Sequence, residues 1–191
     1  MAAWLEKRVS VGRYLHSLGV REAVTGLAQK YGVDPRPLRL AALFHDCMRE
    51  LSGPELLALA AKWSVKVRDV DRQAPVLLHA RLAAELARRE FRLADPRMVS
   101  AIEYHTTGNR GMSLSDKLFF IADHIEPGRD HPLVLKLRLA AYEDVDRAVL
   151  ESIRMSERHL RSAGAVIDPE TIRLKQHLQE NMGGAGSGNG A

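Results

Sequence analysis

Three Asp-Pro pairs, Asp34-Pro35, Asp95-Pro96 and Asp168-Pro169, constrain this chain more than any other feature. Proline presets the helical φ and lacks the N–H that a first helical turn leaves unbonded. The aspartate before it accepts from the N–H groups that remain. Apolar residues at helical spacing follow each pair, so each opens a helix. Ser52 ahead of Gly53-Pro54-Glu55 is a fourth start, with Glu55 in the capping-box position. The same spacing predicts a helix from Ser10 to about Tyr31, closed by Gly32, and carries the Asp34-Pro35 helix toward Glu50. The Ser52 helix ends near Trp63. Further helices run from Pro75 to about Phe91, from Asp95-Pro96 to Gly108, and from Ser113 or Ser115 to Pro127-Gly128. A long amphipathic segment covers 132–162, and the last helix fades at Met182. No run alternates long enough to be a strand; Val65–Val70 is the best candidate, and it is short and polar. The expectation is an all-α bundle forming one domain over 1–182. Residues 183–191, made of Gly, Ala, Ser and Asn, are expected to be a disordered tail.

Composition narrows the chemistry. A chain of 191 residues buries a core without staples. The only cysteine is Cys47, which excludes a disulfide framework and any thiolate-rich metal cluster within one chain. A metal site must then use His, Asp and Glu. The formal charge of +4 permits polyanion binding without demanding it, and the basic residues are interleaved with acidic ones rather than gathered into a nucleic-acid stripe. The first ten residues carry charges where a secretory signal has its apolar core. No stretch reaches the roughly 20 apolar residues of a membrane span. The expected compartment is the cytoplasm, with neither membrane nor nucleic acid as partner.

Four of the eight histidines, His16, His45, His79 and His105, fall on four different predicted helices, each on an apolar or small face. Asp46 follows His45, and Asp123 lies on the apolar face of Phe119 and Phe120. A lone histidine on such a face is ordinarily a core residue with one satisfied nitrogen. A lone His-Asp pair carries little information, since chance supplies about 0.4 of them in such a chain. The full series is different. Four histidines and two aspartates buried in one bundle need partners, and convergent metal ligation supplies them.

Taken together, His16, His45-Asp46 and Asp123 resemble the H…HD…D signature of HD-domain metal phosphohydrolases. The words Arg13-x-x-His16-Ser17-x-Gly19-Val20, Leu77-Leu78-His79, His105-Thr106-Thr107-Gly108 and Ala122-Asp123-x-Ile125-Glu126-Pro127-x-Arg129 are similar to the YqeK family of HD-domain symmetrical bis(5'-nucleosyl)-tetraphosphatases. The likeness spans about Val9 to Val149. Two departures are visible: Arg49 stands where the family commonly has Lys, and Ala80 and Ala83-Ala84 replace glycine and Gly-Ala after the third histidine.

The resemblance implies an HD-domain helical bundle with a dinuclear metal site in its interior. His16, His45, Asp46 and Asp123 would hold one metal. Asp46 would bridge to a second, completed by His79 and His105, and would be the central catalytic residue. An N/O donor set suits iron, manganese, cobalt, zinc or nickel, and the family suggests iron. The implied reaction converts diadenosine tetraphosphate and water into two ADP. Such a substrate calls for further cations, for which Arg129, Arg49 and Lys117 are candidates. Thr106, Thr107 and Gly108 would shape the substrate pocket or cap their helix. Asp116 would orient a ligating histidine or cap its own helix. Tyr104 could stack on a base or pack in the core. Cys47 is expected to be a buried, inert thiol, and His124, His131, His159 and His177 surface residues. Two alternatives stay open: a nucleotidase or phosphodiesterase acting on another nucleotide, and a non-catalytic nucleotide-binding regulatory module. The apolar stripe of 132–162 faces either the core or a partner chain, so a homodimer also stays open.

Overall fold

The computed structural model describes residues 2–184, and these are helices joined by turns. In chain order they are α1 (Ala2–Glu6), α2 (Val11–Lys30), α3 (Pro35–Phe44), α4 (Gly53–Lys62), α5 (Asp69–Gln73), α6 (Leu78–Phe91), α7 (Pro96–Tyr104), α8 (Leu114–Ile125), α9 (Val134–Glu143), α10 (Val145–Ser162) and α11 (Pro169–Gly184). The Asp-Pro signals act as their chemistry requires. Asp34 accepts from Arg36 N–H at 3.0 Å, Asp95 from Arg97 N–H at 2.9 Å, and Asp168 from Glu170 N–H at 2.9 Å. Gly32 ends α2 at φ +67°, a conformation that favours glycine.

One contiguous core runs through the bundle, with α2 against α3 and α8, α7 against α3, α6 and α8, and α10 against α8, α9 and α11. Ala41 and Ala42 on α3 and Ala83, Ala84 and Ala87 on α6 are fully buried, and both helices pack against α7. At one end Trp4 of α1 meets Phe91 edge-on at a 4.8 Å centroid distance, and Phe91 meets Phe44 at 5.0 Å.

Several expected boundaries move. α3 stops at Phe44, not near Glu50. Beyond it the chain turns through bonds such as Cys47 N–H to Phe44 O (3.0 Å) and Arg49 N–H to Asp46 O (3.0 Å). Pro75 opens a single 3₁₀ turn, Pro75–Leu77, and α6 begins at Leu78. The link before it contains α5, and Val65–Val70 forms no strand. The 132–162 segment is two helices. Asp144 is extended between them (φ −148°, ψ 106°) and caps α10 by accepting from the N–H groups of Asp146 and Arg147. α9 turns Val134, Leu137 and Ala141 inward and leaves Leu135 and Leu139 about 70% exposed. The last helix continues past Met182 through Gly184, and the tail expected over 183–191 lies outside the described residues from 185 onward. No helix of the described residues is long and apolar enough to cross a membrane.

The C-terminal helix is tied to the centre of the chain by charge. Buried Asp71 accepts from Arg68 Nη2 at 3.0 Å and faces Arg81 Nη2 at 2.5 Å, while Arg68 Nη2 also reaches Asp168 at 2.6 Å. Burial works against the Asp71 charge, but the hydrogen bonds of Arg68 and the adjacent Arg81 guanidinium outweigh it and hold the carboxyl below its ordinary 3.8. A folded pKa below the unfolded one contributes stability above that unfolded value, and the contribution is lost as pH falls toward the folded one. Asp71→Asn is therefore expected to cost about 2–3 kcal/mol at neutral pH, or roughly 5–10 °C in Tm. Thermal melts in a pH series check this: the gap to wild type closes as the solution is acidified below pH 4.

Candidate metal centre

Five elements each deliver a chemically active side chain to one interior point. α2 supplies His16, the turn after α3 supplies His45 and Asp46, the start of α6 supplies His79, the end of α7 supplies His105, and α8 supplies Asp123. The main chain aims three of the four imidazoles. His45 Nδ1 bonds the carbonyl of Ala42 at 2.9 Å, His79 Nδ1 that of Val76 at 2.5 Å, and His105 Nδ1 that of Ile102 at 2.7 Å. A carbonyl only accepts, so each Nδ1 carries the proton and each Nε2 presents a lone pair. His16 differs: its Nδ1 bonds the Glu126 carboxylate, at 3.3 Å from Oε1.

The four Nε2 atoms converge in two pairs. His16 and His45 Nε2 are 3.3 Å apart, and His79 and His105 Nε2 are 3.1 Å apart. Asp46 lies between the pairs and divides its oxygens. Oδ2 is 3.7 Å from His16 Nε2 and 3.5 Å from His45 Nε2; Oδ1 is 3.2 Å from His79 Nε2 and 3.5 Å from His105 Nε2. Asp123 Oδ1 closes the first pair, 3.0 Å from His16 Nε2. Ligand atoms of His16, His45 and Asp123 lie within 4.8 Å of one another, as do those of His45, Asp46 and His105. Lone pairs facing each other at hydrogen-bond distance in a buried site repel unless a cation or a proton lies among them. The donor set therefore fits metal cations.

The electrostatics agree. Burial opposes ionisation of Asp46, but His45, His105 and His79 together outweigh it and hold the carboxyl far below its usual range. For Asp123, burial is outweighed in the same way, chiefly by His16. Burial pushes His45 down to about 4, so it stays neutral and available as a ligand at physiological pH.

The comparisons with known proteins fall on these residues. Residues 13–128 match the HD domain, a segment that holds all six. The chain is 32% identical over 170 residues to the symmetrical bis(5'-nucleosyl)-tetraphosphatase of Bacillus subtilis, covering 89% of this chain and 91% of that one. It is 36% identical over 166 residues to the protein of the same name from Halalkalibacterium halodurans, covering 87% and 88%. The chain belongs to the HD-domain family, among the symmetrical bis(5'-nucleosyl)-tetraphosphatases. The crystal structure of a predicted HD superfamily hydrolase involved in NAD metabolism, from Clostridium acetobutylicum, superposes on this chain with a TM-score of 0.91 at 34% identity. It covers 94% of this chain and 95% of that one.

The remaining candidates of the HD domain separate by position. Arg129 reaches the cluster, with Nη2 3.0 Å from Asp123 Oδ1 and Nε 3.1 Å from the Asp123 carbonyl. Thr106 Oγ1 lies 3.0 Å from His105 Nε2 and 3.3 Å from His79 Nε2. Thr107 and Gly108 turn toward the C-terminal helix: the Thr107 carbonyl accepts from Thr171 Oγ1 at 2.7 Å, and Gly108 (φ +65°) packs against Leu174. Lys117 points away from the cluster and pairs with Asp146 at 2.7 Å. Arg49 lies in the turn after Asp46 and makes no ion pair among the described residues. Asp116 caps α8, accepting from Ser113 N–H at 2.8 Å and Ser100 Oγ at 2.6 Å, and contacts none of the four histidines.

Two residues that the family words contain, but to which the sequence reading gave no role, belong to the site. Arg13 pairs with Asp46 Oδ2, and Glu126 holds His16. Arg13 precedes His16 by three residues and Glu126 follows Asp123 by three, a helical turn in each case, which was the available signal. His124 is not the expected surface residue. It is half-buried, its Nδ1 donates to the Phe120 carbonyl at 2.9 Å, and its ring stacks on Phe120. His131 is half-buried too, reaching the His124 carbonyl at 3.2 Å. Cys47 is half-buried, and burial pushes its thiol up to about 12, so it is inert.

Proposed function

We propose that this HD domain, a single unit over 1–182, hydrolyses diadenosine tetraphosphate at its central anhydride to give two ADP. The observation that carries the reading is the division of Asp46, with one oxygen facing His16 and His45 and the other facing His79 and His105. A carboxylate so placed can serve two cations at once. His16, His45, Asp46 and Asp123 would hold one; Asp46, His79 and His105 would hold the other. The N/O donors suit iron, which the family resemblance favours, and equally manganese, cobalt, zinc or nickel. Two such cations supply Lewis acidity toward the phosphoanhydride and lower the pKa of water.

The chain's own groups do the rest. Asp46 and Asp123 keep their negative charge at working pH and fix the positive centre. Arg129 and Arg13 sit at the rim on carboxylate partners, where each guanidinium can exchange its partner for a phosphate oxygen. The Thr106 hydroxyl supplies a donor beside His79 and His105. Arg49, without an ion pair among the described residues, is a further proposed substrate contact; Lys117, held by Asp146, and Thr107 and Gly108, turned toward α11, stand outside the contact set, and Asp116 serves as the cap of α8. ADP leaves as a stable anion, so no strong general acid is required. A small nucleotide substrate and one unpaired thiol agree with a cytoplasmic enzyme.

Chromatography of the products from a nucleotide panel tests the reading. ADP alone from diadenosine tetraphosphate is the expected result. ATP plus AMP would mean an off-centre cut and overturn it, and turnover of another nucleotide in its place would favour the nucleotidase or phosphodiesterase alternative.

A further inference from the structure

A cleft of about 760 Å³ opens directly off the centre, and beyond Thr106 and Arg129 none of the roles above uses its lining. Its size lies in the range of small-molecule sites. Thr106 and Arg129 line one end, the same Thr106 that touches two histidines and the same Arg129 that bonds Asp123. Leu133, Met155 and Leu160 line it further out, with exposed Arg158 beside them. A hydroxyl and a guanidinium thus stand beside the cluster, while α10 and the turn before α9 add apolar surface from Leu133, Met155 and Leu160 with His131 and His159 among them.

We infer that this α10 cleft receives one nucleoside end of the dinucleotide, with the purine against Leu133, Met155 and Leu160 and the adjoining phosphates running past Arg129 to the centre. The inference rests on the function proposed above. A substrate cut at its middle places identical arms on either side of the cluster, each a polyanion at its inner end and an aromatic ring at its outer end. The cleft offers both chemistries, with Arg129 and Thr106 at the cluster and apolar side chains elsewhere in its lining. Leucine side chains and a polarizable thioether suit the face of any purine. Arg158 can lie over the ring or meet the phosphate nearest the ribose. The groove along α2 also adjoins His16, but there the carboxylates of Glu22 and Glu126 offset the guanidinium groups of Arg21 and Arg39, whereas among the described residues no acidic side chain lines the α10 cleft.

Photolabelling of the metal-loaded enzyme with 8-azido-ADP, followed by peptide mapping, tests the placement without any substitution. Label on residues 133–160 is expected; label confined to the α2 groove overturns the inference. Met155→Trp fills the cleft. It is expected to raise KM for diadenosine tetraphosphate and the Kd for etheno-ADP by about tenfold, with kcat within about twofold of wild type and metal content unchanged. Arg158→Ala, on an exposed position, is expected to weaken etheno-ADP by about threefold. Folded Met155→Trp and Arg158→Ala proteins with wild-type KM and Kd would overturn the inference. A wild-type enzyme that leaves the dinucleotide intact overturns the proposed reaction instead, while etheno-ADP binding and the label still report on the cleft.

Discussion

Asp46→Ala is expected to lower kcat/KM for diadenosine tetraphosphate by roughly 10³-fold or more. No other side chain of the centre faces both histidine pairs. Removing it takes an anionic oxygen from His16 and His45 and another from His79 and His105. It also leaves Arg13 without its partner. Metal analysis should show the bound content falling from about two equivalents per chain to below one, because both positions lose a ligand. Asp46→Asn separates charge from shape: it keeps one carbonyl oxygen but loses the anion, and is expected to stay near the alanine variant. The fold should persist in both, since Asp46 lies in a turn and the apolar core does not depend on it; circular dichroism checks this. Turnover within about tenfold of wild type in Asp46→Ala would rule out the central role.

Gly19→Ala should be the next most damaging change, through Glu126. A Cβ at residue 19 collides with the Glu126 carboxylate, which is also fixed by Gly128 N–H at 2.6 Å. The carboxylate must move, and His16 then loses the acceptor for its Nδ1 proton. Partners that orient ligating imidazoles in this way are typically worth 10–100-fold in metal affinity or activity, and that range is expected here. Glu126→Ala should match it. Glu126→Gln keeps an oxygen facing His16 Nδ1 and should recover most of the loss if orientation is what matters. Metal titration distinguishes this from general damage. The weakening should be confined to one equivalent, because His79 and His105 are held by backbone carbonyls that Glu126 does not touch. Equal weakening of both equivalents would overturn the assignment.

How much of this was legible in the sequence follows from the range over which each signal acts. Asp34, Asp95 and Asp168 cap helices through bonds to residues two positions on, so the chain itself carries the information. Asp144 uses the same chemistry, but apolar residues continue across it at helical spacing, and the break between α9 and α10 is hidden. The six candidate ligands were readable because four histidines on apolar faces, each ordinary by itself, are hard to explain together as core residues. Glu126 and Arg13 were visible as parts of the family words, but their roles were not, since a charged residue near a helix end is usually solvated. Only the approach of α2 to the turn after α8 buries Glu126 against Gly19. Lys117 is the converse: nothing local announced that Asp146, on another helix, would hold it.

The turn from His105 to Gly108 has a further consequence. It is braced from behind by Thr171 and Leu174 of α11, more than 40 residues past the end of the HD match at 128. Asp168, at the head of the same helix, is fastened to Arg68 near the middle of the chain. The segment that matches the HD domain is thus not a part that can be cut out and expected to work. A chain ending soon after Arg129 would keep every candidate ligand but lose the wall that holds one of them in place. The natural unit for expression, for transplanting into a fusion, or for tracing descent is the chain through α11.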